Sequence, residues 1–254
     1  MNGSEWADLA VNLLAALIGV TAGWLTREAT RACFSRRPAS KVWGLPRGAT
    51  ANIVVTDVST PSEGARSIAM LHPAEFAAAT ELSYFLSSSL SCHVKKVYTS
   101  RSFPDSALDE NLVVIGGPVN NQVFRTMSER LALPYRFVDR ELKSHMRGIS
   151  YTPTLDENGN LKTDVGLIVV TSNPLNDSSR IILLAGCRTF GSLGAARMLT
   201  LPSVRKLAKL VDNNHGYCFV IRMMVEGSFV GQLEVLEWQE LATPTPPLTL
   251  SGSV

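Results

Sequence analysis

Cysteine is scarce in this chain, and what there is does not cluster. Cys33, Cys92, Cys187 and Cys218 form no CxxC pair, and no histidine stands at metal-ligand spacing from any of them. The spacing therefore gives no zinc site and no other metal site. Three of the four fall near or within strand-like segments, where a buried free thiol is the ordinary state. The pattern suits a reducing compartment. Catalytic signatures are missing as well. There is no GxSxG elbow and no HExxH, and no Ser-His-Asp set can be assembled. His72, His93, His145 and His215 fall before helices, beside strands or in loops. Nothing here marks an enzyme. There is no repeat of solenoid period. Net charge is only +2, with much of the positive charge near the N-terminus. That distribution suits a membrane face and argues against a nucleic-acid partner.

What the chain does have is apolar substance. Of its 254 residues, 45% are hydrophobic, enough for one domain with a sizeable core plus appendages. The stretch Leu9–Leu25 is apolar apart from Asn12 and Thr21, with Trp6 and Trp24 at its flanks. From Ala7 it has roughly the length of a bilayer core. Arg27, Arg31, Arg36, Arg37 and Lys41 follow it, and only Glu5 and Asp8 precede it. The positive-inside rule then predicts a single-pass inner-membrane anchor, N-terminus outside and folded domain cytoplasmic. A cleaved signal peptide fits poorly, because the n-region is acidic. Ala15, Gly19 and Gly23 share a helix face, and the Gly19–Gly23 pair predicts a possible homo-oligomer through that face. The expected organisation is an anchor over 1–26, a basic juxtamembrane linker over 27–47, an α/β domain over 48–241 and a disordered tail over 242–254.

The domain is organised around Arg180–Leu199. A continuous apolar run, Ile181 to Ala185, reads as a strand buried on both faces. Gly186, Gly191 and Gly194 follow, with Arg188, Thr189 and Ser192 among them, and then a helix begins. A second junction of the same kind lies upstream. Leu112 to Ile115 is a short apolar strand, ended by Gly116, Gly117 and Pro118, with Asn120 and Asn121 before a helix. Strand, glycine turn and helix form the layout in which backbone N–H groups and a helix N-terminus can face an anion. The plainer alternative is tight turns, helix capping and close packing. Two such turns on neighbouring parallel strands would converge on one crevice. Asp57 and Ser59, after the first strand, and Asn173, after the strand 165–171, are further candidates by position. The connection from Thr171 to Arg180 is short, which predicts antiparallel pairing and places Asn173 in question as a neighbour of Gly186. A closing hairpin follows over 217–238. The expected fold is a Rossmann-like three-layer α/β sandwich, its sheet mostly parallel with an antiparallel hairpin at one edge.

The spacing is neither GxGxxG nor GxxxxGK[ST], so no named cofactor follows. GGPVNN at Gly116–Asn121 and GCRTFGSLGAA at Gly186–Ala196 do give the chain a resemblance. It resembles the bacterial membrane-tethered, Rossmann-like nucleotide-sensing domains, the group containing SLOG and TIR relatives. The resemblance implies binding of a nucleotide-like small molecule, in a sensor or effector. A TIR-type catalytic glutamate cannot be placed. Two other functions stay open. One is an enzyme acting on a nucleotide or glycoside with Arg188 as anion clamp. The other is a non-catalytic scaffold whose glycines only serve packing.

Overall fold

The computed structural model describes residues 3–31, 36–59, 69–212 and 216–241. The tail expected over 242–254 lies outside them, as do Cys33 and His215. The chain opens with a 29-residue helix, α1 (Gly3–Arg31). Its leucines and isoleucine at Leu13, Leu17 and Ile18 are 59–63% exposed. Where a Cβ would sit on Gly19 or Gly23 there is open space. Among the described residues no helix is long and apolar enough to cross a membrane. This overturns the expected single-pass anchor, and with it the inner-membrane placement of the chain. A bilayer core needs about 20 consecutive apolar residues.

Helix α2 (Arg37–Trp43) starts with Pro38 in its first turn and ends at Gly44 in the left-handed region. Its Ala39, Val42 and Trp43 are fully buried. Then come β1 (Thr50–Val55), a minor hairpin of β2 (Val58–Ser59) and β3 (Ala69–Met70), and α3 (Pro73–Leu90). β4 (His93–Thr99), β5 (Leu112–Ile115) and α4 (Gln122–Arg130) follow. A small antiparallel insert is made by β6 (Tyr135–Val138), β7 (Glu141–Ser144) and β8 (Ser150–Tyr151), with β9 (Thr154–Leu155) after it. The chain continues through β10 (Leu161–Asn173), β11 (Asn176–Gly186), α5 (Thr189–Met198) and α6 (Val204–Ala208). The hairpin of β12 (Gly216–Glu226) and β13 (Phe229–Leu241) closes the described chain.

Eight strands form the main sheet, in the order β13-β12-β10-β11-β5-β1-β4, with β9 beside β10. The sheet is mixed. The β4–β1, β1–β5 and β5–β11 pairs are parallel. The β11–β10, β10–β12, β12–β13 and β9–β10 pairs are antiparallel. The expected mostly parallel sheet with antiparallel pairing confined to one edge is therefore corrected. The reason lies in the connections. Asn173 pairs directly with Asn176, and Glu226 with Phe229, so tight turns join these strands. A parallel pair needs a crossover of a dozen residues or more.

Side-chain alternation along the strands divides the interior in two. Ile53, Val55, Ile182, Leu184 and Phe219 face the layer of α2, α3, α5 and α6. Val54, Val114, Leu183, Leu167 and Val220 face α4 and the small insert. β11 is sealed on both faces: Ile181 to Ala185 are all fully buried.

Candidate functional site

The parallel half of the sheet brings the carboxyl ends of β1, β5 and β11 side by side. A cleft of about 670 Å³ opens there. The turn after β5 contributes Gly117, Pro118 and Asn120 to it, and the turn after β11 contributes Gly186, Arg188, Thr189 and Ser192. The two turns touch, since a Cβ on Gly117 would lie 3.9 Å from the Gly186 carbonyl oxygen. The β6–β7 turn forms another wall with Phe137, Asp139 and Arg140. The first turn of α3 supplies His72 and Glu75, above Thr56 at the end of β1.

The remaining residues singled out from sequence have other places. Gly116 sits at φ +109°, and a Cβ there would come within 1.9 Å of Thr56 Oγ1, so it serves the turn itself. Asn121 is fully buried and caps α4. Its Oδ1 accepts from Phe124 N–H at 3.0 Å, and its Nδ2 donates to the Ile115 carbonyl at 3.0 Å. Asp57 is buried and ion-paired with Arg101 at 3.2 Å. Ser59 belongs to β2, and its side chain is not described. Asn173 lies at the opposite end of β10 from the cleft. Gly166, not Asn173, is the cross-strand partner of Gly186. Asn173 Nδ2 donates to the Leu108 and Glu110 carbonyls, which makes it a loop fastener. Gly194 faces Met223, whose sulfur would be 2.6 Å from an added Cβ.

The helix N-terminus behind the second turn already holds an anion, supplied by the protein. Asp164, on β10, is fully buried. Its Oδ2 accepts from Gly191 N–H at 2.6 Å, and its Oδ1 accepts from Arg188 N–H at 3.2 Å and Val165 N–H at 2.8 Å. Burial pushes this carboxyl up to about 6, against the opposing pull of the three N–H bonds. The N–H groups of Arg188 and Gly191 are therefore committed to Asp164 rather than to an external anion. Gly191 is used for packing instead. Its added Cβ would fall 2.4 Å from the Val165 carbonyl oxygen.

Glu75, in the first turn of α3, is a second buried carboxyl beside the cleft, and the sequence motifs do not single it out. It is only 7% exposed. Thr56 hydrogen-bonds to it through both side chain and backbone. Its Oε2 is buried and has no hydrogen-bond partner among the described residues. Burial pushes its carboxyl up to about 7, only partly offset by Thr56. One signal was readable: His72-Pro73 starts the helix, which puts Glu75 in the first turn. Such a turn faces the carboxyl edge of a parallel sheet. His72 Nδ1 is taken, because it accepts from Ala74 N–H at 3.3 Å as the helix cap. Cys187 also lines the cleft, but burial and the nearby Asp164 push its thiol up to about 12. It is not a nucleophile at neutral pH.

Arg140 was likewise missed. Asp139 and Arg140, the two central residues of the β6–β7 hairpin, have φ of 49° and 66°. Positive φ at both positions is the pattern that normally selects Asn-Gly. Here two ordinary side chains accept that conformation, and one of them is a guanidinium in the cleft wall.

No protein-family model matches the chain, and comparison with curated proteins gives no match. The resemblance to nucleotide-sensing domains thus rests on the two glycine-turn motifs alone.

Proposed function

We propose that the chain is a binding module for a nucleotide-like small molecule, held in the cleft at the carboxyl ends of β1, β5 and β11. One observation carries the reading: two strand–turn–helix junctions on adjacent parallel strands line a single cavity of about 670 Å³. Crevices at this edge of parallel sheets are where such ligands bind. The lining supports it. Phe137 and Phe190 offer apolar surface for a flat ring, and Arg140 and Arg188 offer guanidinium groups for phosphate. Since Asp164 occupies the α5 N-terminus, the phosphate contacts come from side chains.

The test is thermal stability of the full chain against nucleotides, NAD and cyclic dinucleotides. A ligand at a hundredfold its dissociation constant stabilises by about 2.7 kcal/mol. Gly117→Leu fills the cleft at a position where an added Cβ meets only ordinary contact. It should abolish the shift and leave the unliganded melting temperature nearly unchanged. A shift that survives Gly117→Leu places binding elsewhere. Absence of any shift favours the scaffold reading.

A further inference from the structure

We propose that Glu75 and Arg140 are the two recognition poles of this cleft, Oε2 of Glu75 accepting an N–H or O–H of the ligand while Arg140 holds its phosphate. The inference rests on the nucleotide-binding reading above and names how that site selects.

Three observations carry it. First, a carboxylate oxygen that is out of water and unpartnered is costly. Thr56 serves the carboxyl of Glu75, yet Oε2 is left without a partner among the described residues. Glu75 lines the cleft, so a ligand held there can bring a donor to it. Second, among the described residues no cation is ion-paired with it. Of the charged and titratable groups around the cleft, Asp57 beside Thr56 is paired with Arg101. His72 is spent as a helix cap. Arg140 and Arg188 line the same cavity, but Glu75 forms an ion pair with neither. Asp139 shares the strained turn, and Cys187 stays a neutral thiol. The unmet acceptor and the two guanidinium groups thus line one cavity without forming an ion pair with each other. A ligand with a hydrogen-bond donor at one end and a phosphate at the other complements both. Third, the turn that carries Arg140 is held in a conformation disfavoured for its residues. A glycine at this position would fold more easily, so the arginine is present for something other than the turn.

A consequence follows from the first pole. A donor to Oε2 favours the ionised carboxylate, so binding drives a proton off Glu75. The ionised carboxylate is by far the stronger acceptor, and with the carboxyl near 7 the ionised fraction rises about tenfold between pH 6 and pH 8.

The experiment measures binding of AMP, ribose 5-phosphate, 2′,3′-dideoxyadenosine 5′-phosphate, adenosine and inorganic phosphate to the full chain at pH 6, 7 and 8. Wild type is compared with Glu75→Gln and Arg140→Gly. The ratio of wild-type to Glu75→Gln affinity cancels the titration of the phosphate itself. For AMP that ratio should rise about tenfold from pH 6 to pH 8. The same rise with ribose 5-phosphate assigns the donor to a ribose hydroxyl. A rise retained by the dideoxy compound but absent for ribose 5-phosphate assigns it to the base. Arg140→Gly should weaken the phosphate esters at least tenfold, leave adenosine unchanged, and melt at or above the wild-type temperature. AMP binding that is equal in wild type and Glu75→Gln at every pH overturns this assignment while the binding-module reading stands. Inorganic phosphate binding as tightly as AMP also overturns it, leaving an unselective anion site. Absence of any binding overturns both.

Discussion

Glu75 costs the fold stability wherever it is ionised. Its carboxyl sits near 7 in the folded chain, above the ordinary 4.5, because burial penalises the charged form. The folded state therefore holds the proton more tightly than the unfolded state does. The contribution is fully present below about pH 4.5 and is lost as pH rises through 7. The loss is on the order of a few kcal/mol. Glu75→Gln should be as stable as wild type near pH 5 and more stable at pH 8, which paired denaturation curves would read. Equal stability at both values would mean that water or a counter-charge reaches the carboxyl. Asp164 titrates in the same sense, with its carboxyl near 6, so only the difference between the two proteins isolates Glu75. Asp164 has a second consequence. Asp164→Ala removes the acceptor of the Arg188 N–H and leaves the Gly191 N–H only its 3.1 Å bond to the Arg188 carbonyl. Losing these bonds to the α5 N-terminus predicts a cost of about 1–3 kcal/mol. A urea midpoint that does not move would show that those donors find another partner.

Between elements, the glycines of the two turns do different work. Gly166, Gly186 and Gly191 let α5 press onto β10 and β11 at backbone contact. A Cβ on Gly166 would lie 2.6 Å from the Gly191 carbonyl oxygen, and one on Gly186 would lie 2.5 Å from Gly191 Cα. These obstacles are backbone and cannot step aside. Gly191→Ala should cost about 2–3 kcal/mol or more. Gly117→Ala should cost less than about 0.5 kcal/mol, since it meets only ordinary contact. The pair is read by chemical denaturation, and equal costs would contradict the packing account. The contrast also shows what was legible beforehand. Short apolar runs such as Ile181–Ala185 declared the buried strands, because a strand sealed on both faces has no polar alternation to hide. The convergence of the two turns followed from parallel pairing. The commitment of Asp164 to the α5 N-terminus did not, because an acidic residue at the start of an apolar strand carries no mark of its distant partner. α3 shows the same limit. Helical spacing groups Phe76 with Ala79, Leu82, Phe85 and Leu86 on one stripe, yet Phe76 is 60% exposed and the core takes Ala78, Leu82 and Phe85. Periodicity fixes which residues share a stripe, but not how the helix rolls on the sheet or which carboxyl its first turn buries.

At the scale of the whole molecule, the two halves of the sheet divide the labour. The parallel half opens the cleft, while the antiparallel strands β10, β12 and β13 extend the sheet beneath α5. The segment ahead of β1 is divided as sharply. From Leu13 to Arg27 the described side chains of α1 are exposed. α2 is welded in: Trp43 is fully buried, donates from Nε1 to the Leu199 carbonyl at 3.0 Å, and packs its ring 5.9 Å from that of Phe85. Phe85 belongs to α3, so α2 braces the helix whose first turn carries Glu75. Removing residues 1–35 should therefore leave the melting temperature within about 2 °C of the full chain. Removing residues 1–47 takes Trp43 as well. Loss of a buried tryptophan costs about 3–5 kcal/mol, which for a domain of this size lowers the melting temperature by about 10 °C. The shorter protein should also lose any ligand-dependent shift along with its α3 brace. Equal melting temperatures for the two truncations would show that α2 is an ornament on the fold. A large loss already at residue 35 would show that α1 is part of the core.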